Sequence, residues 1–175
     1  MLGIYENFPE NIHLLENFAS TLPSQKLQRK LIQTLHGVNK GSFRLEEVSQ
    51  PSLHDCTVIF EVGIADTKNF SYIDDDEAKT LMDLLRKKTF QIMDFFVAVR
   101  YYTGTAETKK SLRFDYYMLR FVFDPNRSVE LRVFHERGPR HLSPEDLVIF
   151  LLKRVNEGSS RAVLKRIAPS HDDAN

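Results

Sequence analysis

Two runs rich in aromatic and β-branched residues, 112–123 and 129–134, are separated by Asp124-Pro125-Asn126-Arg127, and this arrangement strongly restricts the fold. Pro presets φ for a turn, and Asp and Asn side chains hydrogen-bond nearby backbone, so the tetrapeptide reverses the chain. A connection this short joins antiparallel strands, because parallel neighbours need a crossover of a dozen residues or more. Val129, Leu131 and Val133 alternate with Glu130, Arg132 and Phe134, the period of a half-buried strand. A third run, 95–102, precedes them, and the three together predict a long-armed antiparallel meander. Ala78, Leu81, Leu85, Ile92, Phe96 and Val99 also fit one helical stripe. The dense Phe, Val and Tyr content after residue 94 favours the strand over a single helix across 75–102.

Upstream, Val58, Phe60, Val62 and Ile64 repeat at period two, as do Phe43 and Leu45, with Pro51 and Asp55 bounding the loop between them; 70–73 reads as a short extended segment. Helices are expected elsewhere. Ile12, Leu15, Phe18 and Ala19 fall on one helical stripe. Leu22-Pro23-Ser24 breaks it, Ser24 serves as an N-cap, and Leu27, Leu31 and Leu35 follow until Gly37 stops the second helix. Asp74-Asp75-Asp76-Glu77 ahead of Ala78, Leu81 and Leu85 suits the positive end of a helix dipole, so it reads as a helix start rather than a metal site. Leu142-Ser143-Pro144-Glu145-Asp146 is a capped start with Ser143 at N-cap, Pro144 at N1 and Asp146 at N3. Gly158 ends that helix, and the basic segment 161–167 reads as a last helical turn or two.

The expected fold is therefore α+β. An N-terminal helical hairpin precedes a mostly antiparallel twisted sheet of about five strands, meander included, packed against two helices. The divisions are 1–40, a helical segment packed on the main body; 41–160, the α+β domain; and 161–175, a basic and then frayed tail.

Composition narrows the functional classes. The single cysteine, Cys56, allows no intrachain disulfide, and its apolar run predicts a buried, inert thiol. A Cys–His pairing with His54 would need both on one strand face. No leader pattern opens the chain and no apolar run reaches the roughly 20 residues of a membrane span, so the expected location is cytoplasmic, with no membrane partner. Net charge is zero, but residues 45–83 carry 2 basic against 10 acidic side chains and residues 84–170 carry 17 against 9. Such blocks either neutralise each other in the fold or form separate fields that steer partners.

The segment VFHERGPRHL, residues 133–142, gathers histidine, arginine and glutamate around a Gly-Pro break. His135, Glu136 and His141 offer a metal-like grouping, but the histidine spacing of six across Gly138-Pro139 does not match the one-face, i to i+4 pattern of helical zinc sites. Asp115, which interrupts an aromatic strand, is expected to pair with Arg113 or Arg132 across the sheet. Residues 100–141 hold nine Lys/Arg against five Asp/Glu, interleaved with tyrosines. That mixture suits a single strand of nucleic acid, whose bases stack on aromatic faces while cations meet phosphates. The helix start at Ser143 would help hold an anion, although Glu145 and Asp146 oppose it.

The reading is a non-catalytic, cofactor-free binding module for an anionic partner, RNA or single-stranded DNA. The expected contact residues are Arg113, Tyr117, Arg120, Arg132, His135, Arg137, Arg140 and His141. One alternative is a homodimer or protein-assembly factor in which acidic and basic blocks of two copies meet. Another is a metal-dependent hydrolase around His135, Glu136, His141 and Asp115.

Overall fold

A computed structural model describes residues 1–49, 56–103, 110–111 and 114–167. Its elements in chain order are strand β1 (Leu14–Ser20), helix α1 (Ser24–Val38), strand β2 (Ser42–Arg44), the single-turn α2 (Leu45–Val48), strands β3 (Cys56–Asp66) and β4 (Asn69–Tyr72), helix α3 (Asp75–Leu84), strands β5 (Ile92–Thr103), β6 (Lys110–Ser111), β7 (Asp115–Phe123) and β8 (Ser128–Arg137), helix α4 (Pro144–Asn156), and strand β9 (Leu164–Arg166). The fold is α+β. Its antiparallel sheet runs β2-β3-β5-β7-β8-β1-β9, with β4 added to β3 and β6 to β5.

The expected meander is present. β5 pairs antiparallel with β7 from Ile92–Val122 to Val99–Asp115, and β7 pairs with β8 through the 124–127 turn. Period-two alternation then sorts the side chains. Val97, Val99, Tyr101, Leu119, Phe121, Leu131 and Val133 point to the face covered by α1, α3 and α4 and join one core with Leu31, Leu35, Leu81 and Leu147. The helix across 75–102 is not formed: α3 stops at Leu84 and β5 is a strand of 12 residues.

Two local signals hold as read. Asp74 Oδ1 accepts the Glu77 amide at 2.9 Å at the start of α3. Ser143 Oγ accepts the Asp146 amide at 3.1 Å at the start of α4. Cys56 is buried, and burial pushes its thiol pKa up, as an inert core cysteine requires.

Several expectations are corrected. Residues 14–20 form β1, not the first helix of a hairpin, and pair with β8 on one side and β9 on the other. Residues 164–166 are β9 rather than a helical turn. Among the described residues the sheet accordingly has nine strands instead of about five. In α1 the cap position belongs to Pro23, with no side-chain cap, and Gly37 lies inside the helix. Leu45 opens α2 rather than extending β2. Glu61–Arg100, at 3.1 Å, is an ion pair that joins the acidic and basic blocks. The 51–55 loop, with His54, lies outside the described residues, and no helix among them is long and apolar enough to cross a membrane.

The N-terminal segment ahead of β1 crosses the sheet face opposite the helices. β3 pairs with β5 as far as Val62–Val97 and then turns away to β4, leaving the start of β5 without that neighbour. Gly3 fills the gap: its N–H donates to the Ala65 carbonyl at 2.7 Å and its carbonyl accepts from the Asp94 amide at 2.6 Å. Its φ of +91° favours glycine there, and a Cβ on this residue would lie 3.1 Å from both the Phe90 ring and the Ile92 carbonyl oxygen.

Candidate nucleic-acid interface

The meander supplies two polar or aromatic constellations, one on each face. On the core face Asp115, fully buried at the start of β7, accepts four hydrogen bonds. His135 Nε2 and the Arg140 amide donate to Oδ1 at 2.8 and 2.7 Å. The Tyr101 hydroxyl and the His141 amide donate to Oδ2 at 2.6 and 3.0 Å. Arg140 Nε donates to His135 Nδ1 at 3.3 Å, which places the imidazole hydrogen on Nε2. The Tyr117 hydroxyl donates to the Leu142 carbonyl.

This network explains the shape of the 138–142 loop. Gly138 takes φ +116° because a Cβ there would lie 2.2 Å from the Phe114 carbonyl oxygen, and Arg140 is left-handed at φ 58°. Asp115 holds that unfavourable backbone in place through two amides. Burial, reinforced by the neighbouring phenol of Tyr117 and by Asp115, drives the Tyr101 hydroxyl pKa far up; burial and the Asp115 carboxylate do the same to Tyr117. His13 stacks on Phe134 with ring centroids 4.9 Å apart, and its Nδ1 accepts the His135 amide at 2.9 Å. Its pKa is lowered by burial, then by the positive charge of Arg140 and by His135.

Chemically the core-face group is closed. Both nitrogens of His135 and both oxygens of Asp115 already have partners, so the pair is a clasp rather than an acid-base couple aimed at a ligand. Glu136 lies away from it, among the residues lining a cleft on the outer face. Among the described residues no group of three His, Cys, Asp or Glu side chains is placed to hold a metal ion. The predicted pairing of Asp115 with Arg132 is also overturned. Alternation puts them on opposite faces, and Arg132 instead bonds Glu130 beside it.

The outer face carries aromatic rings side by side. Tyr5 packs on Phe70 at 4.9 Å, Phe70 on Phe96 at 5.5 Å, and Phe96 stacks on Tyr116 at 5.4 Å and 27°. Phe114 meets the edge of Tyr116 at 6.2 Å. Two guanidinium groups lie over this row: Arg137 over Tyr116 and Arg100 over Phe114, both at 4.8 Å. The strands put them together by register, since Ala98 faces Tyr116 and Tyr116 faces Arg137 across the ladder.

Lower on the same face, Arg120 and Asp94 form a two-pronged pair, Nε–Oδ1 2.8 Å and Nη2–Oδ2 2.7 Å, with Asp94 1% exposed. The N-terminal segment covers the pair. The Tyr5 amide donates to Asp94 Oδ2 at 2.7 Å, Arg120 donates to the Tyr5 carbonyl at 3.4 Å, and the Phe8 ring centroid lies 4.3 Å from the guanidinium.

The eight predicted contact residues thus divide. Arg137 is exposed on the ring row, and Arg140 and His141 stand on the adjoining loop. Arg120 is sealed under the N-terminal segment, Arg132 is paired with Glu130, and Arg113 lies outside the described residues. Tyr117 and His135 face the core and are withdrawn from any contact on the outer face, because both occupy inward positions of their strands. The anion site at the start of α4 is likewise filled from within. Asp115 takes the Arg140 and His141 amides, while Asp146 receives the Ser49 hydroxyl at 2.8 Å.

Sequence reading missed Phe70, Phe96 and Tyr116 as one surface. Phe70 faces Ala65 and Tyr116 faces Ala98 across their ladders, a signal that appears after the strands are paired. The sequence matches no protein-family profile, and neither curated proteins nor solved structures show significant similarity to it.

Proposed function

We propose that this chain is a non-catalytic binding module that holds a single strand of RNA or DNA on the outer face of its sheet. The observation that carries the reading is the row Phe70–Phe96–Tyr116–Phe114, with the Arg137 guanidinium over Tyr116 and that of Arg100 over Phe114. Partly exposed rings spaced along a sheet offer stacking surfaces that any base can use, worth about 1–3 kcal/mol per base. Arginine planes beside them add stacking and phosphate contacts.

Stacking rather than charge dominates this version of the interface. Arg100, Arg120 and Arg132 are each neutralised by a carboxylate. Arg137 and Lys68, with Arg140 on the loop, have no carboxylate partner among the described residues. Three phosphate contacts give a log–log salt slope of roughly −2, shallow for a nucleic-acid binder. The protein-assembly alternative draws less support, because the main sheet path ends on β2 and β9, three residues each, and short edges template strand pairing poorly.

Fluorescence anisotropy with labelled single-stranded dodecamers of DNA and RNA tests the reading. Tyr116→Ala with Arg137→Glu is expected to weaken binding at least tenfold, an order of magnitude set by loss of one stacking contact and one cation. Unchanged affinity in that double variant overturns it.

A further inference from the structure

The outer face is hollowed beside the ring row. A cleft of about 350 Å³ runs over Gly63 and is walled by Tyr5, Phe70, Tyr72 and Phe96. That volume falls at the small end of ligand pockets, about 300–1,000 Å³. Lys68, on the turn between β3 and β4, and Glu136, on β8, also line it. In strand order β4-β3-β5-β7-β8 they stand near opposite ends, between three and four strand spacings apart at the backbone, on the order of 17 Å. Neither has a hydrogen bond or ion pair among the described residues.

A bare phosphate chain would satisfy Lys68 and be repelled by Glu136. A purely apolar side chain would use the rings and leave both charges idle. One nucleotide uses all three features when its base bears an exocyclic amine: the ring system lies between the aromatic walls, the phosphate meets Lys68, and Glu136 accepts from the amine.

We infer that this cleft selects an amino-substituted base (cytosine, adenine or guanine) over thymine or uracil, with Glu136 as the specificity-determining residue. The inference rests on the proposed nucleic-acid binding and adds to it a base preference. Thymine and uracil present carbonyl oxygens where the amine would be, and a carboxylate that can only accept is repelled by them. Gln at the same position both donates and accepts, so it removes the discrimination without emptying the site. Lys68 contributes equally to every base, because it meets the phosphate.

The test compares oligo-dC with oligo-dT dodecamers, equal in ring size and backbone, by anisotropy on the full chain. Expected for the wild type is dC binding about tenfold tighter than dT, the scale of one good base-edge contact. Glu136→Gln should bring the two affinities within about twofold, and Lys68→Ala should weaken both by the same factor. Both positions are exposed, so neither variant endangers the fold. Equal dC and dT binding by the wild type, or a preference that survives Glu136→Gln, overturns the base selection and leaves strand binding standing. No binding of any oligonucleotide overturns both. Competition by CMP as strong as by the dodecamer supports amine recognition and overturns the strand as its source.

Discussion

Asp94 and Asp115 stand on neighbouring strands of one meander, both withdrawn from water, yet on opposite faces and in opposite chemistry. Asp94 meets a permanent cation, the Arg120 guanidinium, and adds one backbone amide from Tyr5. Among the described residues Asp115 meets no Lys or Arg head group; its donors there are a phenol, an imidazole and two amides. Each fastens a segment with no regular structure of its own, the N-terminal crossing in one case and the 138–142 loop in the other. The lesson is that a buried carboxylate can be held by one strong ionic partner or by several neutral dipoles, and the two solutions respond differently to perturbation. Ionic pairing concentrates the stabilisation in one contact that a single charge-removing substitution abolishes. Distributed donors spread it over groups that are all stranded together when the acceptor goes.

The sharpest way to break the comparison is Asp115→Ala. Four donors lose their acceptor: the buried Tyr101 hydroxyl and His135 ring, and two half-buried backbone amides that hold Arg140 in a left-handed conformation. The expected loss is about 3–5 kcal/mol in urea unfolding, the range for removing the centre of a buried polar network. A loss below about 1 kcal/mol would mean that the donors find water, and that the loop is not clasped.

Asp94→Ala is the counterpart. It leaves Arg120 partly buried and unpaired, and it frees the Tyr5 amide; the expected loss is about 2–3 kcal/mol. The effect should be local as well as global, with amides of residues 3–8 exchanging faster than those of β7. If Asp94→Ala proves as costly as Asp115→Ala, the ionic and neutral arrangements are energetically equivalent.

The smallest expected effect separates the two faces by pH. His13 has a pKa below its ordinary value, so its folded form favours the neutral ring. Its contribution is therefore present above about pH 6.5 and is lost as the pH falls through that value and below, because the unfolded chain then takes up the proton more readily. Protonation of Nδ1 also removes the acceptor for the His135 amide. His13→Gln should flatten the acid slope of stability between about pH 7 and 5 by no more than about 0.5 kcal/mol, as for other largely exposed side chains. A steeper slope in the variant than in the wild type would reverse the sign.

The meander and the starts of α3 and α4 were legible because their signals are local: a Pro-containing turn, a string of aspartates, a Ser-Pro cap. β1 was not, because its two faces disguise each other. Its inward positions Leu14, Glu16, Phe18 and Ser20 include two polar residues, while outward Leu15 and Ala19 are apolar. The result mimics a helical stripe through Leu15, Phe18 and Ala19. What makes it a strand is pairing with residues more than a hundred positions away. The clasp was half legible. Asp115 shares a face with Tyr117, Leu119 and Phe121 by simple alternation, so its burial follows from the pattern; its partners, from β5, β8 and the 138–142 loop, follow from register alone. The ring row and the cleft belong to the same class of information, set by which strand lies next to which.

The strand nearest the beginning of the chain is also the one wedged between β8 and β9. During synthesis residues 14–20 leave the ribosome well before their partners, because residue 18 pairs with residues 129 and 166. At about 5–20 residues per second, β1 waits on the order of ten seconds or more with both edges unpaired. The turn-linked pair β7–β8 can close as soon as it emerges, so assembly runs from the middle of the sheet outward, and β1, made before both its partners, is among the last strands to find its place.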